Sequence, residues 1–140
     1  MFSHRHDLIV EWGDCDPAGI VFYPRFFAMF DAATASLLEA ASGRPRIRLI
    51  EDCRILGWPM VDTSAQFHAP VRFDDRVSIE SRVTHVGTAS FAIAQRLTRG
   101  ETLCVEAMEM RVWSIRDEQD GHIRSQPIPA WLRAALGVKA

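Results

Sequence analysis

The predicted architecture follows from the segment Pro24–Gly43, PRFFAMFDAATASLLEAASG. Its apolar side chains recur at the spacing of one helix face, which predicts a helix over 26–41. Pro24 suits the first helical turn, where the missing N–H of proline costs nothing, and Gly43 suits the residue at which a helix stops. Other apolar residues surround most of this helix, which is typical of a helix wrapped by other elements. The polar side chain of Asp31 therefore needs an explanation.

The other segments are mainly strand-like. Residue patterns predict strands at Asp7–Trp12, Met60–His68, Val77–Val83, Ser90–Thr98 and Leu103–Ile115. A connection over 42–48, a hairpin at Asp120-Gly121 and a short helix over 129–136 complete the chain. One long helix with consecutive antiparallel strands implies an α+β fold whose sheet curls over the helix. Because this layer leaves a sheet edge uncovered, we expect at least a dimer.

Length and composition bound the class of protein. The 140 residues correspond to a single domain over 1–140, long enough to bury a core without a disulfide or a metal. With 48% hydrophobic and 24% charged residues, the chain resembles neither disordered nor collagen-like proteins. The net charge of −2 provides no footprint for nucleic acid. We expect no membrane span, because Asp31 and Glu39 interrupt the most apolar stretch. Three widely separated cysteines predict free thiols and a cytoplasmic protein.

The densest group of polar residues and glycines is WGDCDPAGIVFYP at 12–24. Two carboxylates, Asp14 and Asp16, follow a strand and precede the helix. Main-chain N–H groups at a helix start are unpaired and carry partial positive charge, so they could stabilise an oxyanion forming on a carbonyl. A carboxylate beside them could attack that carbonyl or activate a water. Residue types alone leave a second interpretation open, in which both aspartates only form turns and caps.

The motif GDCDPAGIV at 13–21, followed by two aromatic residues, Pro24 and FDAA at 30–33, closely resembles the 4-hydroxybenzoyl-CoA thioesterase family in its aspartate-dependent branch. The resemblance continues through GWPMV at 57–61, FDD at 73–75, Ile79-Glu80 and Ser90-Phe91. It implies a hotdog fold, in which a curved antiparallel sheet of five to six strands wraps a long central helix. It also implies assembly into dimers or tetramers. These expectations agree with the order of elements predicted from the residue patterns.

The same resemblance implies an activity, the hydrolysis of an acyl-CoA thioester to free acid and CoA. Asp16 is then the catalytic carboxylate, as nucleophile or as general base, and the main-chain N–H of Tyr23 polarises the thioester carbonyl. Asp31 contacts the hydroxyl of an aromatic acyl group. The segment expected to shape the acyl pocket is Ile20, Val21 and Phe22.

Two positions bear on the acyl group. Short-chain acyl-CoA thioesterases of the superfamily usually carry histidine where this chain has Pro24, which favours an aromatic, 4-hydroxybenzoyl-like substrate. The namesake branch carries a pocket tryptophan where this chain has Val86-Gly87-Thr88. The alternatives are therefore a short-chain aliphatic acyl-CoA thioesterase and a non-catalytic acyl-CoA-binding hotdog subunit. Asp31 has an alternative role as a polar contact across a subunit interface.

Neither a metal nor a cofactor is expected. Asp14-Cys15-Asp16 has no further ligands at metal spacing, and coenzyme A is part of the substrate. The aspartates beside Cys15 are expected to raise the pKa of its thiol and blunt its nucleophilicity. Cationic groups are needed for the phosphates of CoA. The candidates are Arg44, Arg46, Arg48, Arg72 and Arg82, although each is more often a solvated surface residue.

Overall fold

The central helix spans Tyr23–Ser42 in the computed structural model, which describes residues 1–139. Gly43 ends it in a left-handed conformation, with φ of 68°, which glycine adopts without the penalty of a Cβ. The helices are α1 (Tyr23–Ser42), α2 (Arg46–Cys53) and α3 (Ala130–Ala135). The strands are β1 (Ser3–Ile9), β2 (Met60–Phe67), β3 (Arg76–Val86), β4 (Ser90–Arg99), β5 (Thr102–Val112), β6 (Ser114–Arg116) and β7 (Ile123–Ser125).

Five strands form one antiparallel sheet in the order β1-β3-β4-β5-β2. Alternate side chains of the three inner strands are buried against α1, as expected for a sheet with one covered face. The buried row includes Ile79, Val83, Ile93, Leu97 and Val105. On α1, Phe30 and Leu37 pack into the core and are at most 1% exposed. This layer of sheet on a long helix confirms the α+β prediction and the hotdog fold that the resemblance implied.

One face of α1 is not covered by the sheet of the same chain. The exposed residues on that face include Arg25, Ala28 and Asp31, which follow one another at a spacing of three. The sheet of the same chain covers the opposite face of the helix, where the buried residues of α1 lie. Alanine and aromatic residues make the sequence of α1 apolar nearly all round, although one face of the helix is exposed in a single chain.

The first strand was misplaced by the sequence prediction. β1 runs from Ser3 to Ile9 and pairs with β3 from Ser3–Arg82 to Ile9–Arg76, whereas the predicted strand was 7–12. The error arose because inward positions of β1 carry histidines, so the apolar alternation is missing there. His4 Nε2 lies 2.8 Å from Ser36 Oγ of α1, a contact that accommodates the polar ring.

The segment predicted as a connection over 42–48 was also partly wrong, since α2 begins at Arg46. This short helix carries two arginines and two acidic residues, and its one buried residue is Leu49, so it shows little apolar periodicity. Towards the C-terminus, the predicted strand Leu103–Ile115 divides into β5 and β6. The predicted hairpin at Asp120-Gly121 joins β6 to β7, and α3 lies within the predicted 129–136.

No helix within residues 1–139 is long and apolar enough to cross a membrane. The expected cytoplasmic location stays a prediction.

Candidate functional site

A small hairpin carries the motif of residues 13–21 between β1 and α1. The N–H of Asp16 donates to the carbonyl of Ile20 at 2.9 Å, and the N–H of Phe22 donates to the carbonyl of Asp14 at 2.9 Å. Between these bonds, Cys15 and Val21 lie opposite each other as an antiparallel bridge. The N–H of Val21 also donates to the carbonyl of Val71 at 2.8 Å, which joins the hairpin to the segment before β3. Asp16 is therefore held at the tip of a hairpin that leads directly into α1.

The tip of this hairpin is the turn Asp16–Gly19. The N–H of Gly19 donates to the carbonyl of Asp16 at 2.9 Å, and Gly19 has φ of 80°. The N–H of Ala18 donates to Asp16 Oδ1 at 2.8 Å, a contact typical of aspartates in turns. Among residues 1–139, no hydrogen bond or ion pair engages Asp16 Oδ2. Asp16 thus fixes the turn with one oxygen and keeps the other free.

Asp14 has a different environment. Its Oδ2 accepts the N–H of Glu11 at 3.0 Å, and its Oδ1 lies 3.9 Å from Arg25 Nε. Both oxygens are therefore engaged in capping the short 3₁₀ turn Trp12–Asp14 and in contacting α1. The turn-and-cap interpretation describes Asp14 fully, whereas it accounts for only one oxygen of Asp16.

Tyr23 provides the free main-chain donor at the start of α1. Pro24 has no N–H, and the N–H of Arg25 turns back to the carbonyl of Phe22 at 2.8 Å. The N–H of Tyr23 makes no hydrogen bond to any described residue. Because unpaired N–H groups at a helix start carry partial positive charge, this donor is suited to bind a carbonyl oxygen. Its position next to the hairpin brings it beside the segment that bears Asp16.

Arg25 is a site residue that the sequence prediction missed. Its Nε and Nη2 lie 3.3 and 3.2 Å from the carbonyl oxygen of Gly13, in addition to the contact with Asp14. The side chain thus links the first turn of α1 to the loop that precedes the hairpin. In the sequence, only its place one turn into the helix, beside a glycine-rich loop, could have indicated this role.

An open apolar cleft of about 310 Å³ adjoins the start of α1. Its lining includes Ile20, Val21, Tyr23, Phe26, Phe67 and Pro70. Ile20 and Val21, both predicted for the acyl pocket, therefore lie at this cleft. Val21 is only 6% exposed and also belongs to the hydrophobic core. Phe22 lies outside the lining and packs edge-on against Tyr23, with 5.5 Å between ring centroids. Asp16 and Asp31 do not line the cleft either.

Asp31 lies two turns along α1 from Tyr23, roughly 12 Å along the helix axis. Its side chain is 65% exposed, and its Oδ1 lies 2.8 Å from Nη2 of Arg111, which is 4% exposed. Arg111 in turn forms an ion pair with buried Glu109 on the same face of β5. The sequence prediction missed both β5 residues. The available signal was the charged pair Glu109–Arg111 at alternate positions of a mainly apolar strand.

The environment of Cys15 agrees with the expected weak nucleophile. Partial burial and the charges of Asp14 and Asp16 raise the pKa of the Cys15 thiol. Within the described part of the chain, no cluster of three or more histidine, cysteine, aspartate or glutamate side chains could hold a metal ion. The candidate site groups are the Asp16 carboxylate and the Tyr23 main-chain N–H, which belong to the same segment between β1 and α1.

The candidate arginines for CoA phosphates fall into two groups. Three pair with carboxylates: Arg44 with Asp52, Arg46 with Glu39 and Arg48 with Glu51. Arg72 and Arg82 make no ion pair within residues 1–139. Arg72 also lies opposite Ile20 in an isolated bridge, which places its main chain beside the hairpin. Whether any of these side chains binds phosphate stays a prediction.

Comparisons with known proteins match most of the chain. The family model of the thioesterase-like superfamily matches residues 10–136. A 4-hydroxybenzoyl-CoA thioesterase of Pseudomonas sp. (strain CBS-3) is 30% identical over 126 residues, covering 86% of this chain and 88% of the relative. Its solved structure has a TM-score of 0.85 at 29% identity, covering 95% of this chain and 98% of that one.

Two further relatives extend the comparison. A solved gentisyl-coenzyme A thioesterase has a TM-score of 0.83 at 30% identity, covering 95% of this chain and 99% of that chain. A 1,4-dihydroxy-2-naphthoyl-CoA hydrolase of Prochlorococcus marinus (strain MIT 9211) is 28% identical over 105 residues, covering 71% of this chain and 70% of the relative. The match to the family model and to the Pseudomonas relative spans most of the chain. The chain therefore belongs to the thioesterase-like superfamily and is a member of the 4-hydroxybenzoyl-CoA thioesterase family that its motif indicated.

Proposed function

We propose that this protein is an acyl-CoA thioesterase that hydrolyses a hydroxylated aromatic acyl-CoA to the free acid and CoA. The observation that carries the proposal is that one short segment holds both a carboxylate with a free oxygen, at Asp16, and an unengaged main-chain N–H, at Tyr23. Hydrolysis of a thioester needs a nucleophile or a base on one side of the carbonyl and a donor for its oxygen on the other. The chain supplies both from one continuous segment.

Asp16 is the proposed catalytic group. In the nucleophilic form, a carboxylate oxygen attacks the thioester carbonyl, the C–S bond breaks, and CoA leaves as a thiolate that takes up a proton. Water then cleaves the resulting anhydride, which releases the acid and restores Asp16. In the general-base form, Asp16 removes a proton from the attacking water. The free Oδ2 supports both forms, and its partner oxygen is already fixed by Ala18.

The N–H of Tyr23 is the proposed donor to the carbonyl oxygen. As the carbonyl is attacked, negative charge develops on this oxygen, and a donor already in place stabilises it without reorganisation. Proline at the next position and the inward bond of Arg25 leave this N–H without a competing neighbour. The apolar cleft beside Tyr23 excludes water from one side of the bound thioester, which strengthens such a hydrogen bond.

The proposed acyl group is aromatic and carries a hydroxyl. The three relatives described above are named for 4-hydroxybenzoyl, gentisyl and 1,4-dihydroxy-2-naphthoyl groups, all of them hydroxylated aromatic acids. A carboxylate is a good acceptor for a phenolic O–H, and Asp31 is an exposed carboxylate on the helix that begins at the site. This combination supports a phenolic acyl group over an aliphatic one.

We further propose that the site is completed by a second copy of the chain. β2 is an edge strand that pairs only with β5 among the described strands. Its exposed residues include Val61 and Phe67, at 58% and 50% exposure. An edge strand with exposed apolar side chains is open to pairing with another chain, and Phe67 also lines the cleft beside Tyr23. A dimer, or a tetramer built from dimers, would enclose this cleft.

The test is thiol release from a panel of acyl-CoAs by the purified protein, followed with a thiol reagent. We expect fastest turnover of 4-hydroxybenzoyl-CoA or a dihydroxylated analogue, and no loss after dialysis against EDTA, since we propose no metal or other cofactor. Preference for short aliphatic acyl-CoAs would replace the aromatic assignment with the aliphatic one. Binding of acyl-CoA without any thiol release would identify a non-catalytic binding subunit and overturn the proposal.

A further inference from the structure

Asp31 is held from one side only. Its Oδ1 contacts Arg111 Nη2 at 2.8 Å, and no other hydrogen bond or ion pair to Asp31 occurs within residues 1–139. The second carboxylate oxygen is therefore unengaged on a side chain that is 65% exposed. The carboxylate has a fixed oxygen that faces the protein and a free oxygen for a hydrogen-bond donor.

Arg111 is a rigid anchor because its guanidinium donates in three directions. Nε donates to Glu109 Oε2 at 2.9 Å, and Nη2 donates to Glu109 Oε1 at 3.0 Å. Nη1 donates to the carbonyl of Trp58 at 3.2 Å. A planar guanidinium that is bidentate to one carboxylate cannot rotate without breaking these bonds. The position of Nη2, which lies 2.8 Å from Asp31 Oδ1, is thereby fixed.

The anchor continues into the core. Glu109 Oε2 also accepts the hydroxyl of Thr34 at 2.6 Å, and that hydroxyl accepts Nε2 of Gln95 at 3.1 Å. Asp31 and Thr34 lie one turn apart on α1, while Glu109 and Arg111 share the inward face of β5. This polar network contacts α1 at two successive turns, through Asp31 and Thr34. It therefore joins β5 to α1 at these two turns.

The charges show that Asp31 is not required to neutralise Arg111. Glu109 is 2% exposed and already forms a bidentate ion pair with the guanidinium. Burial lowers the pKa of Arg111, but the hydrogen bond and charge of Glu109, together with Asp31, raise it overall. The buried pair is balanced by itself, so Asp31 adds a surplus negative charge at the exposed end of the network.

We propose that Arg111 is a positioning residue that holds Asp31 to accept a hydroxyl of the aromatic acyl group. This inference rests on the proposed function, because it assigns the specificity of the same site. A phenolic O–H satisfies the free oxygen of Asp31, whereas an unsubstituted ring would cover that oxygen and leave it without a partner. A site built around a hydroxyl rejects the analogue that lacks it, and a fixed carboxylate rejects it more strongly than a mobile one.

The experiment measures binding preference without requiring turnover. Its probes are two non-hydrolysable thioethers, 4-hydroxybenzyl-CoA and benzyl-CoA, titrated by calorimetry. We expect the wild-type protein to bind the hydroxylated probe more tightly. We expect Arg111→Lys, which keeps a buried positive charge for Glu109 but loses the planar fork, to reduce that preference about 10-fold or more. In turnover, the change should appear mainly in KM for 4-hydroxybenzoyl-CoA and much less for benzoyl-CoA.

Asp31→Asn supplies the second arm and does not disturb the buried pair. If Arg111 acts through Asp31, adding Arg111→Lys to Asp31→Asn causes no further loss of preference. The double variant Arg111→Met/Glu109→Gln removes both buried charges together, which avoids leaving one unpaired, and we expect it to lose the preference as well. The matched control is Arg124→Met, because Arg124 also contacts two carboxylates, Asp117 and Asp120, but lies in the β6–β7 hairpin.

Folding of each variant is checked by circular dichroism and thermal unfolding. A folded Arg111→Lys protein that keeps the full preference would overturn the inference, as would a wild-type protein with no preference for the hydroxyl. Additive losses from Asp31→Asn and Arg111→Lys would also contradict it. Failure of the proposed function is distinct from these results, since it appears as absence of thiol release while probe binding is still measured.

Discussion

The N–H of Phe22 donates a hydrogen bond of 2.9 Å to the carbonyl oxygen of Asp14. This bond joins the last residue before α1 to the residue that caps the preceding turn. The N–H of Asp16 is bonded to the carbonyl of Ile20 in the same hairpin. The two bonds therefore hold the candidate carboxylate in a fixed position relative to the helix start. The geometry of the site thus depends on a short, local hairpin, and its chemistry can be tested by changing single residues of it.

Asp16→Asn is expected to lower kcat by at least about 100-fold, as the loss of a positioned nucleophile or base does. The amide oxygen can still accept the N–H of Ala18, so the turn and the fold should persist. Steady-state thiol release and a thermal unfolding curve measure the two effects. Asp14→Asn is the matched control, since its amide oxygen can still cap the N–H of Glu11, and it should keep most of the turnover. Unchanged turnover in Asp16→Asn would rule out the catalytic assignment.

Arg25→Met tests the link between α1 and the loop. We expect kcat to fall about tenfold, because small displacements of reacting groups are costly. The free energy of unfolding should change by less than about 1 kcal/mol, since this side chain is 52% exposed. Arg48→Met removes an exposed arginine of α2 and serves as control. Equal kcat in the two variants would show that the Gly13 contact does not position the site.

Gly19→Ala tests the turn at the hairpin tip. A Cβ at Gly19 meets no atom within 4 Å, but φ of 80° is unfavourable for alanine, so we expect a loss of about 1 kcal/mol in the free energy of unfolding. Gly19→Asn should be milder, because asparagine tolerates the left-handed region. Urea unfolding measures both variants. Gly13→Ala is the control, since Gly13 has open space and no positive φ. Equal stability of alanine and asparagine at 19 would contradict the conformational argument.

Cys15 reports on the charge of the site. Burial, then the charges of Asp14 and Asp16, raise the pKa of its thiol, so alkylation by iodoacetamide should require a higher pH than alkylation of a free cysteine. In Asp16→Asn one of these charges is absent, and the pH profile should move toward lower pH. Peptide mass spectrometry separates Cys15 from Cys53 and Cys104. An identical profile in Asp16→Asn would mean that residue 16 does not influence the thiol.

Thr34→Val tests the buried polar network of Thr34, Glu109 and Gln95 by a stability measurement. The variant keeps the shape of the side chain but removes the hydroxyl that donates to Glu109 at 2.6 Å. Leaving a buried carboxylate short of one donor should cost about 1–3 kcal/mol in the free energy of unfolding. Thr34→Ser should recover part of this loss. The same change at exposed Thr84 on β3 should stay within about 0.5 kcal/mol. Equal effects at 34 and 84 would show that the hydrogen bond between Thr34 and Glu109 contributes no stability.

Much of the fold could be predicted because it depends on local spacing. The apolar period and its flanking Pro24 and Gly43 predicted α1 to within a few residues. The strands β2, β3 and β4 follow from residue patterns in the same way. β1 was misplaced because its inward positions are mostly polar, and the strand depends on pairing with β3. α2 was missed because it has few inward positions, and the helix depends on the burial of Leu49.

At the site, the difference between what could be predicted from the sequence and what could not has the same physical origin. The order of a carboxylate, a turn and a helix start within 16–23 follows from local sequence, since these contacts join neighbours in the chain. The contact between Asp31 and Arg111 arises only in the folded protein, because it depends on the register of β5 against α1. A one-residue slip of β5 would turn Glu109 and Arg111 to the opposite face of the sheet. No local pattern in the sequence encodes such a register, which is set by packing of the whole core.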